Sequence, residues 1–176
     1  MTTTITGATG IDNIQAATGA VLQVVSVNKS DTWTYSGSTT FQDITGLVAA
    51  ITPTSSSSKI LVQVNINISG TERYHGARLL RGSTLIGEGD TSSNRSSVSI
   101  SSGSNQDEPT NLYVMRNSSF SFLDSPSTTS ATTYKVQAVS TQTTGATTYV
   151  NRAPTDGDAS WAHRGSSTIT LTEIAG

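Results

Sequence analysis

Residues 59–69, KILVQVNINIS, constrain the fold of this chain more than any other stretch. Ile60, Val62, Val64, Ile66 and Ile68 recur at every second position. A side-chain period of two puts all five on one face of a strand, whereas a helix would scatter them around its circumference. Gln63, Asn65, Asn67 and Ser69 join Leu61 on the opposite face, so the pattern predicts a strand with one core face and one largely polar face. The same period, from Ala20 onward, predicts further strands at residues 21–27, 32–35, 39–44, 47–52, 78–80, 85–88, 96–100, 112–116, 119–123, 133–139, 147–151 and 167–174. Turn-forming clusters separate them at 53–58, 81–83, 101–106, 124–126, 144–145 and 156–158. In RLLRGSTLIGEG the tripeptide Arg81-Gly82-Ser83 reads as the tight connection of a hairpin, with Gly82 supplying a positive φ.

Short strands at close spacing, with no sustained helical period, predict an all-β fold: an antiparallel β-sandwich, jelly-roll-like, over residues 20–176. No unit repeats at a spacing of roughly 20–50 residues, which argues against a solenoid or propeller. Residues 1–19, MTTTITGATGIDNIQAATG, hold only scattered apolar side chains among Gly, Thr and Ala and read as an extended N-terminal arm. Ile5, Ile11 and Ile14 are its candidate docking contacts.

Composition narrows the function. The 176 residues include 28 Ser and 30 Thr, while only 12% are charged, against about 25% in typical soluble domains. Such a chain suits Ser/Thr-rich β-structure better than an enzyme crowded with ionisable groups. A formal charge of −2 lacks the basic excess that neutralises a run of phosphates, so no nucleic acid is expected as a ligand. The longest apolar run, residues 47–51, falls far short of the roughly 20 residues of a membrane-spanning helix, and no membrane is expected as a partner. With no cysteine there are no disulfides, thiolate metal sites or thiol nucleophiles. Residues 1–10 have neither the basic nor the apolar region of a secretion signal, so synthesis in a cytoplasm is expected.

Few charges also means few guards on strand edges. A monomeric sandwich blunts its edges with lysines or prolines; ten Lys and Arg and four Pro fit edges covered in an oligomer, or by the chain's own arm. An extended arm beside such a body is what strand addition onto a neighbour requires.

A search for chemistry yields little. His75 and His163 lack partners at metal-ligand spacing and read as structural or surface histidines. There is no GxSxG elbow, GxxxxGK[ST] loop or GxGxxG loop, so hydrolase and nucleotide-binding readings fall behind, and no catalytic residue, metal or cofactor is expected. Asp156-Gly157-Asp158 and Glu88-Gly89-Asp90 read as turns rather than calcium ligands. Four Asn-x-Ser/Thr sequons, at Asn28, Asn67, Asn94 and Asn117, match chance in so hydroxyl-rich a chain. Arg73, Arg78 and Arg81 with Glu72 suggest pairing on a surface or between subunits. Trp33, Tyr35, Tyr74 and Trp161 are the candidate surface ligand contacts, able to stack on sugar rings. The plainer reading places Trp33 and Tyr35 on one face of a strand and Trp161 as a plug at the end of the core.

Four strings, ITGLVAAITPTSSSSKILVQVNINISG, ARLLRGSTLIGEGD, SFSFLDSPSTTSATTYKVQ and RGSSTITLTEIAG, resemble a group of small virion structural proteins of tailed bacteriophages, common in phages of aquatic bacteria including cyanophages. The resemblance runs over residues 21–176. It implies a virion component with a jelly-roll or related sandwich body, assembled as a homotrimer, and carries over no catalytic residue. The function expected on this basis is a non-enzymatic capsid decoration or cement protein, its arm bound to the major capsid protein of the assembled shell. The alternative is a tail-fibre or receptor-binding head, joined to tail or fibre proteins and contacting a host surface glycan.

Overall fold

The fold is organised around β4 (Lys59–Gly70), in which all five alternating Ile and Val side chains are buried. A computed structural model describes residues 16–36, 39–71, 74–103, 112–140 and 146–176; among these, eleven strands form two antiparallel sheets. In the first sheet, β1 (Val21–Lys29), β11 (Ser167–Ile174), β4 and β8 (Arg116–Asp124) lie side by side. The last residues of β4 also pair β10 (Thr147–Val150), which in turn pairs β2 (Trp33–Ser36). In the second sheet, β3 (Gln42–Ile51) pairs β9 (Thr132–Ser140) and β9 pairs β5 (Tyr74–Arg81). The other edge of β5 carries β6 (Thr84–Ile86) and β7 (Ile100–Gly103). The all-β sandwich expected from the period of two is the fold observed.

The core lies between the sheets. Ile169 and Leu171 flank the β4 side chains, and Leu47 and Ile51 of β3, Leu79 of β5 and Tyr134 and Val136 of β9 close over them. Each such apolar side chain contributes roughly 1.5–3 kcal/mol on burial, so the alternating face of β4 is what fixes the register of its sheet.

Pairing gives the first sheet two distinct ends. Val21 lies beside Ile174, Ile174 beside Lys59, and Ile60 beside Asp124, so residues 16–20, 52–58, 125–131 and 175–176 gather at one end, here the arm end. Lys29 beside Ser167 and Ile68 beside Arg116 mark the opposite, far end, where residues 112–115 and 151–166 lie.

Four local expectations are corrected. The strands expected at 39–44 and 47–52 are one, β3, whose register against β9 shifts between Asp43 and Val48, with Gly46 at φ 84°; a bulge absorbs the residues that broke the alternation. A strand is expected at 112–116, yet 112–113 form a short helical turn, the Leu112 carbonyl accepting from Thr155 N at 2.8 Å instead of from a ladder, and pairing begins only at Arg116. Pairing expected at 96–100 begins only at Ile100, and that expected at 85–88 ends at Ile86. The β5–β6 hairpin closes over Gly82 and Ser83, with Gly82 at φ 59° as expected.

Candidate functional site

At the arm end, residues 1–15, and with them Ile5, Ile11 and Ile14, lie outside the described residues. The chain enters the body beside its own last strand: Gly19 N donates to Ala175 O at 2.7 Å, and Ala175 N donates to Ala20 O at 2.9 Å. Next to this junction is a cleft of about 340 Å³ lined by Ala16, Leu22, Thr54, Ser55 and Ala175. The 52–58 loop that walls it is held by Glu173, which is fully buried. One Glu173 oxygen accepts from Thr54 N and Thr54 Oγ1, each at 2.7 Å, and the other accepts from Gln23 Nε2 at 2.5 Å. Burial alone would raise this carboxyl's pKa; the hydrogen bonds from Gln23 and Thr54 outweigh it and bring the value down to about 2. Glu173 is thus a clamp on the loop.

A second polar group braces the same end. Arg81 Nη1 donates to both Asp124 oxygens at 2.9 Å, and Tyr134 Oη donates to Asp124 Oδ2 at 2.7 Å. Burial, then the hydrogen bond to Asp124, pushes the Tyr134 phenol above its ordinary range. The arginines singled out from sequence therefore go separate ways: Arg81 to Asp124, and Arg78 to Gln137 Oε1 at 2.9 Å and over the Phe41 ring at 3.7 Å. Arg73 and Glu72 lie outside the described residues.

The aromatic candidates do not converge on one site. Trp33 and Tyr35 share a face of β2 with their rings stacked at 5.9 Å, and Trp33 packs against the core, as the plainer reading expected. Tyr74 is 56% exposed at the start of β5, beside a cleft of about 320 Å³ lined also by Asn94, Arg95 and Val98. Trp161 does not plug the core. It is 48% exposed and meets the ring of Tyr113 edge-on at 4.9 Å at the far end, where Leu112 and Val114, on either side of Tyr113 in the chain, are also exposed. Tyr113 was not a sequence candidate, because only the fold brings it to Trp161.

A surface that sequence reasoning did not single out is the outer face of the first sheet. Register aligns Val24, Thr172, Leu61 and Leu123 in one row across β1, β11, β4 and β8. The next rows are Ser26, Thr170, Gln63 and Ser121, then Asn28, Thr168, Asn65 and Ser119, ending with Asn67 beside Asn117. These rows contain no ionisable side chain; the row beyond them at the arm end, with Ile174, carries the exposed Lys59. Ser26 and Thr170 share a hydrogen bond of 2.8 Å, and Asn117 Nδ2 donates to Asn65 Oδ1 at 2.5 Å. A shallow cleft of about 490 Å³ runs over Gln63, Asn65, Ser119 and Thr170. The outer face of the second sheet differs: there Lys135 pairs with Asp43 at 2.7 Å, an interaction that lowers the Asp43 pKa, and Gln137 donates to the same carboxylate. The signal for the uncharged face was present in the alternate positions of the strands, but which strands are neighbours decides whether those positions form a surface.

Among the described residues no three His, Asp or Glu side chains are grouped to hold a metal ion. Asp156 of the Asp-Gly-Asp turn is engaged by Arg164 at 2.8 Å and Arg152 at 3.3 Å. His75 is buried, its Nδ1 2.8 Å from Thr148 Oγ1 and its ring against Gly70, where any Cβ would collide with it; His163 is exposed.

No family model matches the chain, and no curated protein does. Among solved structures it is similar to a chain in the structure of infectious bursal disease virus, Gx strain, at a TM-score of 0.39 and 15% identity. That likeness covers 97% of this chain, which spans 41% of the other's length.

Proposed function

We propose that this protein is a non-enzymatic structural component of a tailed-bacteriophage virion, made in the host cytoplasm: a capsid decoration or cement protein. Its N-terminal arm binds the major capsid protein in the assembled shell, and the body is a homotrimer that needs no cofactor, nucleic acid or membrane. The observation that supports this reading is the junction of Gly19 and Ala20 with Ala175, which ties the start of the described chain to its last strand. That junction lies at the end braced by Glu173 and Asp124, opposite Trp161 and Tyr113. The sheet orders β1-β11-β4-β8 and β3-β9-β5-β6 send successive long strands to alternate sheets, which supports a jelly-roll reading of the sandwich.

The work is mechanical. An arm laid over seams between capsid subunits finds backbone and apolar partners that only the assembled shell offers, and preferential binding stabilises the state that is bound. Burying Ile5, Ile11 and Ile14 contributes roughly 1.5–3 kcal/mol each, and linking several arms in one oligomer raises avidity well above that of one. Deleting residues 1–19 is expected to leave a folded body that no longer joins particles, read by sedimentation with purified particles; undiminished incorporation would refute the arm's role.

The second reading, a tail-fibre or receptor-binding head, is favoured by the half-exposed Trp161 and Tyr113 rings, which present a stacking surface to a host glycan. Copy number separates the two: hundreds per particle for the shell, a few to a few dozen, roughly, for a tail whose heads are small symmetric oligomers.

A further inference from the structure

At the start of β5 lies a cleft that belongs neither to the arm end nor to the Trp161 pair. Gly76 of β5 and Ser101 of β7 are register partners, and both line this cleft of about 320 Å³. Neither carries a bulky side chain, so the paired strands leave a depression between them. Tyr74, two residues before Gly76, stands on the same face of β5 and is 56% exposed, a ring open to whatever enters. The volume is that of a small-ligand site, for which roughly 300–1,000 Å³ is usual.

The remaining wall is the loop over residues 87–99, which folds back along β5. Gly89 N donates to Val98 O at 3.2 Å, Ser97 Oγ donates to Gly89 O, and Ser99 N donates to Ala77 O at 2.9 Å, so both limbs of the loop are tied down. Val98 packs on Gly76 so closely that an added Cβ would lie 2.7 Å from its Cγ1. At the tip, Arg95 N donates to Ser92 O at 3.0 Å and Ser93 takes φ 52°, a turn that holds Asn94 and Arg95 at the cleft. The cleft is thus built before any ligand arrives.

Its polar groups define what it would hold. Arg95 Nη1 donates to Ser92 Oγ at 2.9 Å. Among the described residues, Arg81, Arg152 and Arg164 meet carboxylates, whereas no carboxylate pairs with Arg95 and none lines the cleft. The planar guanidinium fork is therefore open to a carboxylate, which it grips with two parallel bonds. Asn94 brings a donor and an acceptor together, the complement of neighbouring sugar hydroxyls, and the Tyr74 ring suits the C–H face of a pyranose. A ring, hydroxyls and one carboxylate are the parts of a uronic acid.

We infer that this cleft binds an acidic sugar, a uronate unit of a polysaccharide. Arg95 pairs with its carboxylate, Tyr74 stacks on its ring and Asn94 takes its hydroxyls. The assignment stands on the cleft alone and holds for a shell protein or a tail protein. Amide chemical shifts of the full chain, titrated with tetrasaccharides of galacturonate and of alginate, are expected to move at Tyr74, Asn94, Arg95 and Ser101. They should stay put with maltotetraose, and with acetate at the same carboxylate concentration. Arg95→Gln should raise the dissociation constant roughly 10-fold or more, and Tyr74→Ala roughly 3–10-fold, each with unchanged strand content by circular dichroism. Lys59→Gln, which removes the same charge at the arm end, should change nothing. Equal affinity for maltotetraose, equal shifts with acetate, or an Arg95→Gln or Tyr74→Ala chain that binds as tightly as the wild type overturns the inference. So does the absence of shifts with either uronate up to about 10 mM, a concentration that reveals even millimolar binding. Uronate binding by a chain that never joins particles leaves the cleft standing and removes the virion reading; incorporation without uronate binding does the reverse.

Discussion

Glu173 shows how much one side chain can hold. Its carboxylate is buried and accepts hydrogen bonds from Thr54 and Gln23, which are 119 and 150 residues away in the chain. In the unfolded chain the group titrates near 4.5, and in the fold near about 2, so the native state binds this proton more weakly. Its stabilisation is complete above about pH 4.5, on the order of 3 kcal/mol, and is lost as pH falls through that window toward the folded value. Glu173→Gln is expected to cost about 1.5–3 kcal/mol at neutral pH, because one acceptor becomes a donor facing donors. It should also flatten the stability profile between about pH 5 and 2, as urea unfolding across that range would record. Alternation placed residue 173 on the inward face with Ile169 and Leu171, but not its partners, since nothing local in TLTEIAG points to Thr54 or Gln23.

Among the elements, β4 was legible because its inward face is an unbroken run of Ile and Val, and β11 because Ile169 and Leu171 share one face, and burial on one face leaves only one register. β3 was less so. Thr45-Gly46 interrupts its period, and only the pairing with β9 reveals that the strand continues through a bulge. Gly46 sits at φ 84° over the Lys29 side chain, where an added Cβ would lie 3.5 Å from Nζ, an ordinary contact. The cost of Gly46→Ala is therefore conformational, about 1–2 kcal/mol, and Gly46→Asn should recover part of it. Equal denaturation midpoints for the wild type and Gly46→Ala would show that the bulge is not under this constraint. The segment 112–116 failed in the opposite sense: it is rich in Leu, Tyr, Val and Met, but among the described residues only Arg116, the start of β8, finds a ladder partner, Ile68. Local pattern reports what a segment could bury, and the neighbouring chain decides whether it pairs. The same holds for the candidate surfaces: the arm contacts fall outside the described residues, Trp161 needed Tyr113, and the uncharged face needed the order β1-β11-β4-β8.

For the whole molecule, the separation of two ends sets expectations about function. The braced end holds the junction of Gly19 and Ala20 with Ala175, and the far end carries Trp161 and Tyr113 half in solvent. Trp161→Ala with Tyr113→Ala is expected to change unfolding free energy by at most about 1 kcal/mol, since both rings lie outside the core. It should leave incorporation into particles unchanged. If the receptor-binding reading holds instead, the same variant loses adsorption to host cells while particles assemble normally, which a plaque and adsorption assay separates. The junction at the arm end has a mechanical corollary. β1 runs away from Gly19 with eight registered partners on β11, and the bonds of an antiparallel ladder lie across the strands. Tension drawn along β1 from Gly19 therefore loads that ladder in shear, all rungs together, rather than peeling them one at a time; under the proposed decoration role, a swelling shell would pull on β1 in its strongest direction.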